Sequence, residues 1–431
     1  MMQPNLALIK NYPITLLLFS AVFMFVIITL LLNLLSLAFN PAFIPPDTST
    51  YINAANVFYK YLDFSPTRPM GYPILLGIPH FFIANPTNDD LISWGYILNF
   101  CFWLASVYFL YKSLLVMVQP VQAFVFTFLF ITCVSNIAQT SVILTESLSC
   151  FLLTLLLYFL VLFAHTKRLI SMGFVTLIIT VLILVKPGFI YLGIVFNLIL
   201  WGYHFFKGET PSLKIVFPLF IIYLLIFVQS YHNYSKHGNF TISYIDKYTW
   251  YLYIGAEASA DSKSITYSME SDLRSPYFQS LTLREKHELA SQDLAKQLKL
   301  NKGLVIKHLF LNIIENGHRG NPHIAAVGYH SKSIFLRYIR HYLYLFSRLQ
   351  NVTLSLTAVF LCLALVLTSL RRSLMMWMLC SIIFYVMFTS GISFWQGDRF
   401  HIVLYPLIIF GSARLAHQMG WFHAKTINNY Q

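Results

Sequence analysis

Apolar residues run through this chain in long, nearly unbroken stretches, and polar residues collect between them. Ten stretches are long enough to cross about 30 Å of hydrocarbon as helices. They lie near 14–38, 91–115, 121–139, 141–164, 169–185, 188–206, 214–230, 351–370, 374–390 and 401–418. The pattern predicts an all-α polytopic membrane protein of about ten transmembrane helices. The first stretch, Ile14 to Phe39 behind Lys10, is too long for the apolar core of a signal peptide and reads as a retained span.

Lys and Arg in short connections are retained on the cytoplasmic side of a membrane, so they set the orientation. An inside N-terminus collects Lys10, Lys112, Lys167, Arg168, Lys207, Lys214, Arg371, Arg372, Arg414 and Lys425 on the cytoplasmic side, with Glu209 as the one acid. Both termini are then cytoplasmic, and two polar regions face outward. The first, 40–90, contains a short apolar stretch from Tyr72 to Ala84 broken by Pro73 and Pro79, which is expected at the interface or only partway into the membrane. The second, 231–350, carries 15 Lys and Arg against nine acids; loops of this length are exempt from the charge rule. Within it, Leu281 to Leu300 reads as an amphipathic helix. The expected organisation is a transmembrane bundle over 1–230, a large outward-facing loop domain over 231–350 and C-terminal transmembrane helices over 351–431.

Composition agrees with this picture. Hydrophobic residues make up 57% and charged residues 10% of the chain, against about 45–50% and about 25% in soluble domains. The net charge of +13 is spread over short loops and one long polar segment. It therefore points to topology and contact with anionic membrane lipids, and not to nucleic acid. Cys101, Cys133, Cys150, Cys362 and Cys380 all lie in apolar stretches and read as packing residues. No internal repeat is evident.

Candidate chemistry clusters at the predicted outward ends of the spans. Pro45, Pro46 and Asp47 are followed by Thr48, Ser49, Thr50 and Tyr51, and then by Arg68, Pro69, Met70, Gly71, Tyr72 and Pro73. Taken alone, an Asp after a Pro pair is also an ordinary helix N-cap. Thr145, Glu146 and Ser147 open the fourth stretch, and Glu146 is the one acid inside an apolar run. Charges at that depth are costly and default to a functional reading; the alternative is a structural ion pair with Lys186 or Arg399. Lys186 and Pro187 join the fifth and sixth stretches, and Gly397, Asp398, Arg399, Phe400 and His401, with Tyr405 and Pro406, precede the last.

In order and sidedness these elements resemble the GT-C glycosyltransferase superfamily, membrane enzymes that use polyprenyl-phosphate-linked sugars, including the protein mannosyltransferase-like and aminoarabinose transferase-like branches. Met70 stands where the family element has a second Pro, and Thr48 where the mannosyltransferase branch has a Glu after the Asp. The resemblance implies a catalytic first outward loop over 40–90 and a sugar transferred on the periplasmic or lumenal side, with a glycan, lipid or protein as acceptor. The location it suggests is a bacterial inner membrane. Asp47 is the expected base, Arg68, Lys186 and Arg399 the expected donor-phosphate ligands, and Tyr51, Tyr72, Glu146 and His401 substrate-binding or structural residues. Such a transfer needs a base for the acceptor and cations for the charge that develops on the leaving phosphate.

The segment from Asn316 to His323 holds two His and little else that binds metal, so an ordered turn that helps cover the cavity is expected there. No cofactor is predicted, although some superfamily members use a divalent metal. Two other classes fit a polytopic chain. A glycan polymerase or ligase using undecaprenyl-diphosphate-linked chains, of the O-antigen type, would depend on late residues such as Arg319, His323 or Arg337. A lipid or solute transporter would need polar groups near the bilayer midplane, where the runs here are nearly free of charge.

Overall fold

The computed structural model describes residues 13–33, 45–207, 213–329, 333–367 and 373–420, and among them every regular element is helical. Lys10, Glu209, Arg371, Arg372 and Lys425, together with the opening of the first polar loop at 40–44, lie outside the described residues. The protein is an integral membrane protein of the all-α, multi-span class. Among the described residues, six helices are long and apolar enough to cross a membrane, and a bent pair makes a seventh if counted as one span.

Each of the ten apolar runs carries a helix, but three are too short to count by length: Leu169–Val185, Pro187–Tyr203 and Leu374–Ser390. Seventeen residues of α-helix rise roughly 25 Å, less than the hydrocarbon core. The first two are separated at Lys186–Pro187. Proline lacks the donor that would continue the helix and pushes the preceding residue out of the helical region; Lys186 accordingly sits at φ −141°, ψ 106°.

In chain order, α1 is Pro13–Leu32, α2 Pro46–Tyr61 and α3 Gly71–Leu76. Next come α4, Asn88–Leu115, opened by a Thr87–Asp90 capping box, and the bent pair α5, Pro120–Ile131, and α6, Val134–Thr140. Then α7 is Glu146–Thr166, α8 Leu169–Val185, α9 Ile190–Lys207 and α10 Leu213–His237. α7 is the centre of the bundle, flanked by α4 and α8, and 67% of its apolar window is buried against 22% for α1.

The 59° bend between α5 and α6 has a visible cause. No Pro or Gly marks it; the side chain of Gln350 inserts into the backbone ladder, as sharp kinks require. Gln350 Oε1 accepts from Val134 N at 3.1 Å, and its Nε2 donates to Thr132 O at 2.8 Å. Every residue of α6 is buried.

Beyond α10 lie short helices: α11, Ile245–Thr249, runs through a π-turn at Trp250–Ile254 into α12, Gly255–Ser262. They are followed by α13, Tyr267–Ser280; α14, Leu283–Leu300; α15, Lys302–His318; and α16, Pro322–Tyr329. The expected amphipathic helix is α14, started by a Thr282–Glu285 capping box. A buried ion network pins this region: Arg274 bonds Glu270 and Asp293, each at 2.8 Å, and Lys263 also reaches Glu270. The 34-residue α17, Ile334–Leu367, then returns to the bundle, followed by α18, Leu374–Ser390, and α19, Tyr405–Gln418. The sequence boundaries at 230 and 350 both fall inside continuous helices, α10 and α17.

Candidate functional site

Asp47 is the second residue of α2, behind Pro46 at the first helical position. A carboxylate in a first helical turn is favoured by the backbone dipoles, but the side chain does not cap its helix. It turns instead to two arginines. Oδ1 accepts from Arg68 at 2.6 Å and Oδ2 from Arg399 at 3.1 Å. Arg399 uses its Nε on Glu146 Oε1 at 2.8 Å, and Lys186 Nζ stands 3.6 Å from the same oxygen. The five charged residues picked out in the sequence therefore form one connected array, with three cations facing two carboxylates.

The array is graded in depth. The Asp47 side chain is 35% exposed, whereas Glu146 is fully buried at the N-terminus of α7. Burial opposes the charge on Asp47, yet Arg399 and Arg68 outweigh it and hold its carboxyl below the usual range. Lys186, 3.6 Å from Glu146, is the loosely held cation and packs over the Phe400 ring at 4.8 Å.

Each cation is locked by neighbours. Arg68 Nε donates to Thr50 Oγ1 at 2.8 Å, and the guanidinium lies over the Tyr51 ring at 4.5 Å. Its backbone is held by Gln229 of α10, whose side chain accepts from Met70 N and donates to Arg68 O, both at 3.1 Å. Arg399 also donates to Gln396 Oε1 at 3.3 Å. The turn carrying it is closed by Gly397, at φ +59°, where a Cβ would lie 2.5 Å from Gly320 O. That contact ties the turn to the segment 316–323. Asn321 donates to Asp398 at 3.1 Å, and Asn316 donates to Ser390 O and Ser393 O. Where a turn was expected, residues 316–318 end α15 and 322–323 open α16, with 319–321 as the link between them; among the described residues no group of His, Cys, Asp and Glu has the arrangement to hold a metal ion.

Two residues named from the sequence lie apart from the array. His401 is buried, its ring between Ser355 and Ser390 at 3.0 and 3.2 Å. Tyr72 is buried, donates to Asn99 Oδ1 at 3.2 Å and meets the Tyr51 ring edge-on. Both brace the bundle. Thr50, Gln229 and Gln396 contact the array without any sequence signal that singled them out. Asn136 and Gln139, two amides three apart in an apolar run, did offer one, and they stand next to Glu146.

No family model and no curated protein matches the chain. Among solved structures it is similar to the archaeal oligosaccharyltransferase AglB from Archaeoglobus fulgidus, solved in complex with an inhibitory peptide and a dolichol-phosphate. The identity is 13% and the TM-score 0.45, over 96% of this chain and 51% of that one. The chain thus spans about half the length of that protein.

Proposed function

We propose that this protein is a membrane glycosyltransferase of the GT-C type. On this reading it moves a sugar from a polyprenyl-phosphate-linked donor to an acceptor on the periplasmic or lumenal side, through a fold of ten spans. The carrying observation is Asp47 itself, a partly exposed carboxylate bracketed by Arg68 and Arg399, with Lys186 one step further along the same array.

The chemistry follows from competition for the guanidinium groups. At rest both arginines neutralise Asp47, which keeps it ionised but weakly basic. A donor phosphate entering beside them offers stronger, bidentate partners. As the arginines turn to it, Asp47 loses its counter-charges and its proton affinity rises. It then takes the acceptor hydroxyl proton while the acceptor oxygen bonds to the anomeric carbon. The bond from that carbon to the phosphate oxygen breaks, and the charge left on the polyprenyl phosphate rests on Arg68, Arg399 and Lys186. Glu146 keeps Arg399 in place from below.

The test is transfer by the purified full chain from a panel of polyprenyl-phosphate sugars, read as release of polyprenyl phosphate. Asp47→Asn is expected to lower the rate by about 100-fold or more, the usual contribution of a general base. Full activity of Asp47→Asn on every donor that the parent uses would overturn the assignment.

A further inference from the structure

Behind the buried end of the charged array lies a small cavity. It is lined by Trp103 of α4, Asn136 and Gln139 of α6, Glu146, Ser147 and Cys150 of α7, and Ile402. Trp103, Asn136, Gln139 and Glu146 are 2%, 5%, 1% and 1% exposed. Among the described residues, five of their polar atoms have no hydrogen-bonding partner: Trp103 Nε1, Asn136 Oδ1, both amide atoms of Gln139 and Glu146 Oε2. One such atom in an apolar interior is costly, and here five belong to side chains around a single void.

An independent feature points the same way. Two of the four side chains come from α6, the buried limb of the broken helix. Helices interrupted at membrane depth are tolerated where the break is packed in protein or lines a water-filled space. Gln350 satisfies the backbone at the break, and the limb beyond it delivers Asn136 and Gln139 to the cavity.

Size and donor chemistry choose the occupant. The cavity holds about 10 Å³, the lower bound for one water molecule and far too little for a sugar or phosphate. A bare cation would meet oxygens of Glu146, Asn136 and Gln139, but also the N–H donors of Trp103 and Gln139. It would further compete with Arg399 and Lys186, which already neutralise Glu146. A water serves both kinds of partner, accepting from the two N–H groups and donating to two of the oxygens.

We propose that one water molecule is a fixed part of this cavity, bonded to Trp103, Gln139, Asn136 and the second oxygen of Glu146. Gln139 is thereby a positioning residue for the carboxylate that grips Arg399 and Lys186. The inference is independent of the reaction that the array performs.

Hydroxyl-radical footprinting of the full chain in lipid nanodiscs tests it, because radiolysis of a bound water oxidises the side chains beside it. Trp103 and Cys150 are expected to be oxidised despite their burial, while Phe130, equally buried but among apolar neighbours, stays unmodified. Gln139→Met keeps the volume, removes two hydrogen-bonding atoms and should cut oxidation of Trp103 by roughly fivefold or more as the cavity dries. The infrared band of the Glu146 carboxylate, taken as the difference against Glu146→Gln, should shift in the same variant. Should Gln139→Met fail to fold, Trp103→Phe removes the other donor, with loss of labelling read at Cys150. Unlabelled Trp103 and Cys150 in the parent would overturn the proposal. So would labelling and a carboxylate band unchanged by Gln139→Met, or melting that rises with sodium but not with choline at equal ionic strength, which would assign the cavity to an ion.

Discussion

Arg399 is the residue on which the array turns, because one guanidinium serves Asp47 with Nη2 and Glu146 with Nε. An ammonium cannot span both carboxylates, so Arg399→Lys should behave as a loss and not as a conservative change. Arg399→Ala leaves Glu146 buried with Lys186 as its nearest cation, and removing one partner of a buried pair costs about 3–5 kcal/mol. Chemical denaturation of the purified chain should show that drop. Lys186→Ala removes a looser, 3.6 Å contact and leaves Glu146 its bond from Arg399, so it should cost less stability than Arg399→Ala while weakening donor binding, read as a raised KM. All five charges of the array were named from the sequence, Glu146 as the acid inside an apolar run and the other four through the order and sidedness of the elements that carry the family resemblance. Gln229 and Thr50 were given no role there. Amides and hydroxyls are common at such positions, and only the tertiary approach of α10 to Met70 gives Gln229 its role.

At the scale of elements, helix positions and the proline break at Lys186–Pro187 were readable, whereas the α5–α6 bend was not. The capping boxes at Thr87 and Thr282 and the amphipathic α14 follow from local patterns. The α5–α6 bend is imposed from a distance by Gln350, and nothing between 121 and 139 announces it. Gln350→Leu orphans Thr132 O and Val134 N together. It should destabilise the fold by roughly 1–3 kcal/mol for each buried group left unpaired, seen as a lower denaturation midpoint in detergent. The contact of α3 with the end of α8 is similarly non-local. A Cβ on Gly71 would lie 2.7 Å from Leu184 O, a backbone atom that cannot step aside. Gly71→Ala should therefore cost about 1–3 kcal/mol and pull the turn after Arg68 away from Lys186, lowering melting temperature and transfer together.

For the whole molecule, two carboxyls of the helical region beyond α10 should answer pH in opposite senses. Burial pushes the Glu257 carboxyl of α12 from 4.5 up to about 7, against the lowering effect of Asn312, and Glu315 adds to the rise. A group raised in the folded state binds its proton more tightly there. Its stabilisation is present below about pH 4.5 and is lost as pH climbs through about 7. Glu270 is the reverse: burial opposes its charge, but Lys263, Arg274 and Ser259 hold its carboxyl at about 2. That contribution is present above pH 4.5 and is lost as pH falls toward about 2. Glu257→Gln should raise the melting temperature at pH 8 and leave it unchanged at pH 4, an effect on the order of 3 kcal/mol at its limit. Equal melting of parent and variant at pH 8 would contradict the shift. Sidedness belongs to this scale too. On the orientation that the charge rule predicts, with both termini cytoplasmic, Arg284→Cys in a background freed of other cysteines should react with an impermeant maleimide in intact cells. Arg168→Cys should react only after permeabilisation, and the opposite result inverts the topology.

The Asp47–Arg399 bridge joins positions 352 residues apart, and this bears on how the protein is made. At about 5–20 residues per second, a ribosome that has delivered Asp47 to the membrane needs roughly 20–70 s more to deliver its second arginine. Until then the early carboxylate has only Arg68 for company, and half-synthesised chains carry no complete array. The array is complete only once residue 399 has arrived, so a product terminated before it would be inserted without the second arginine of Asp47.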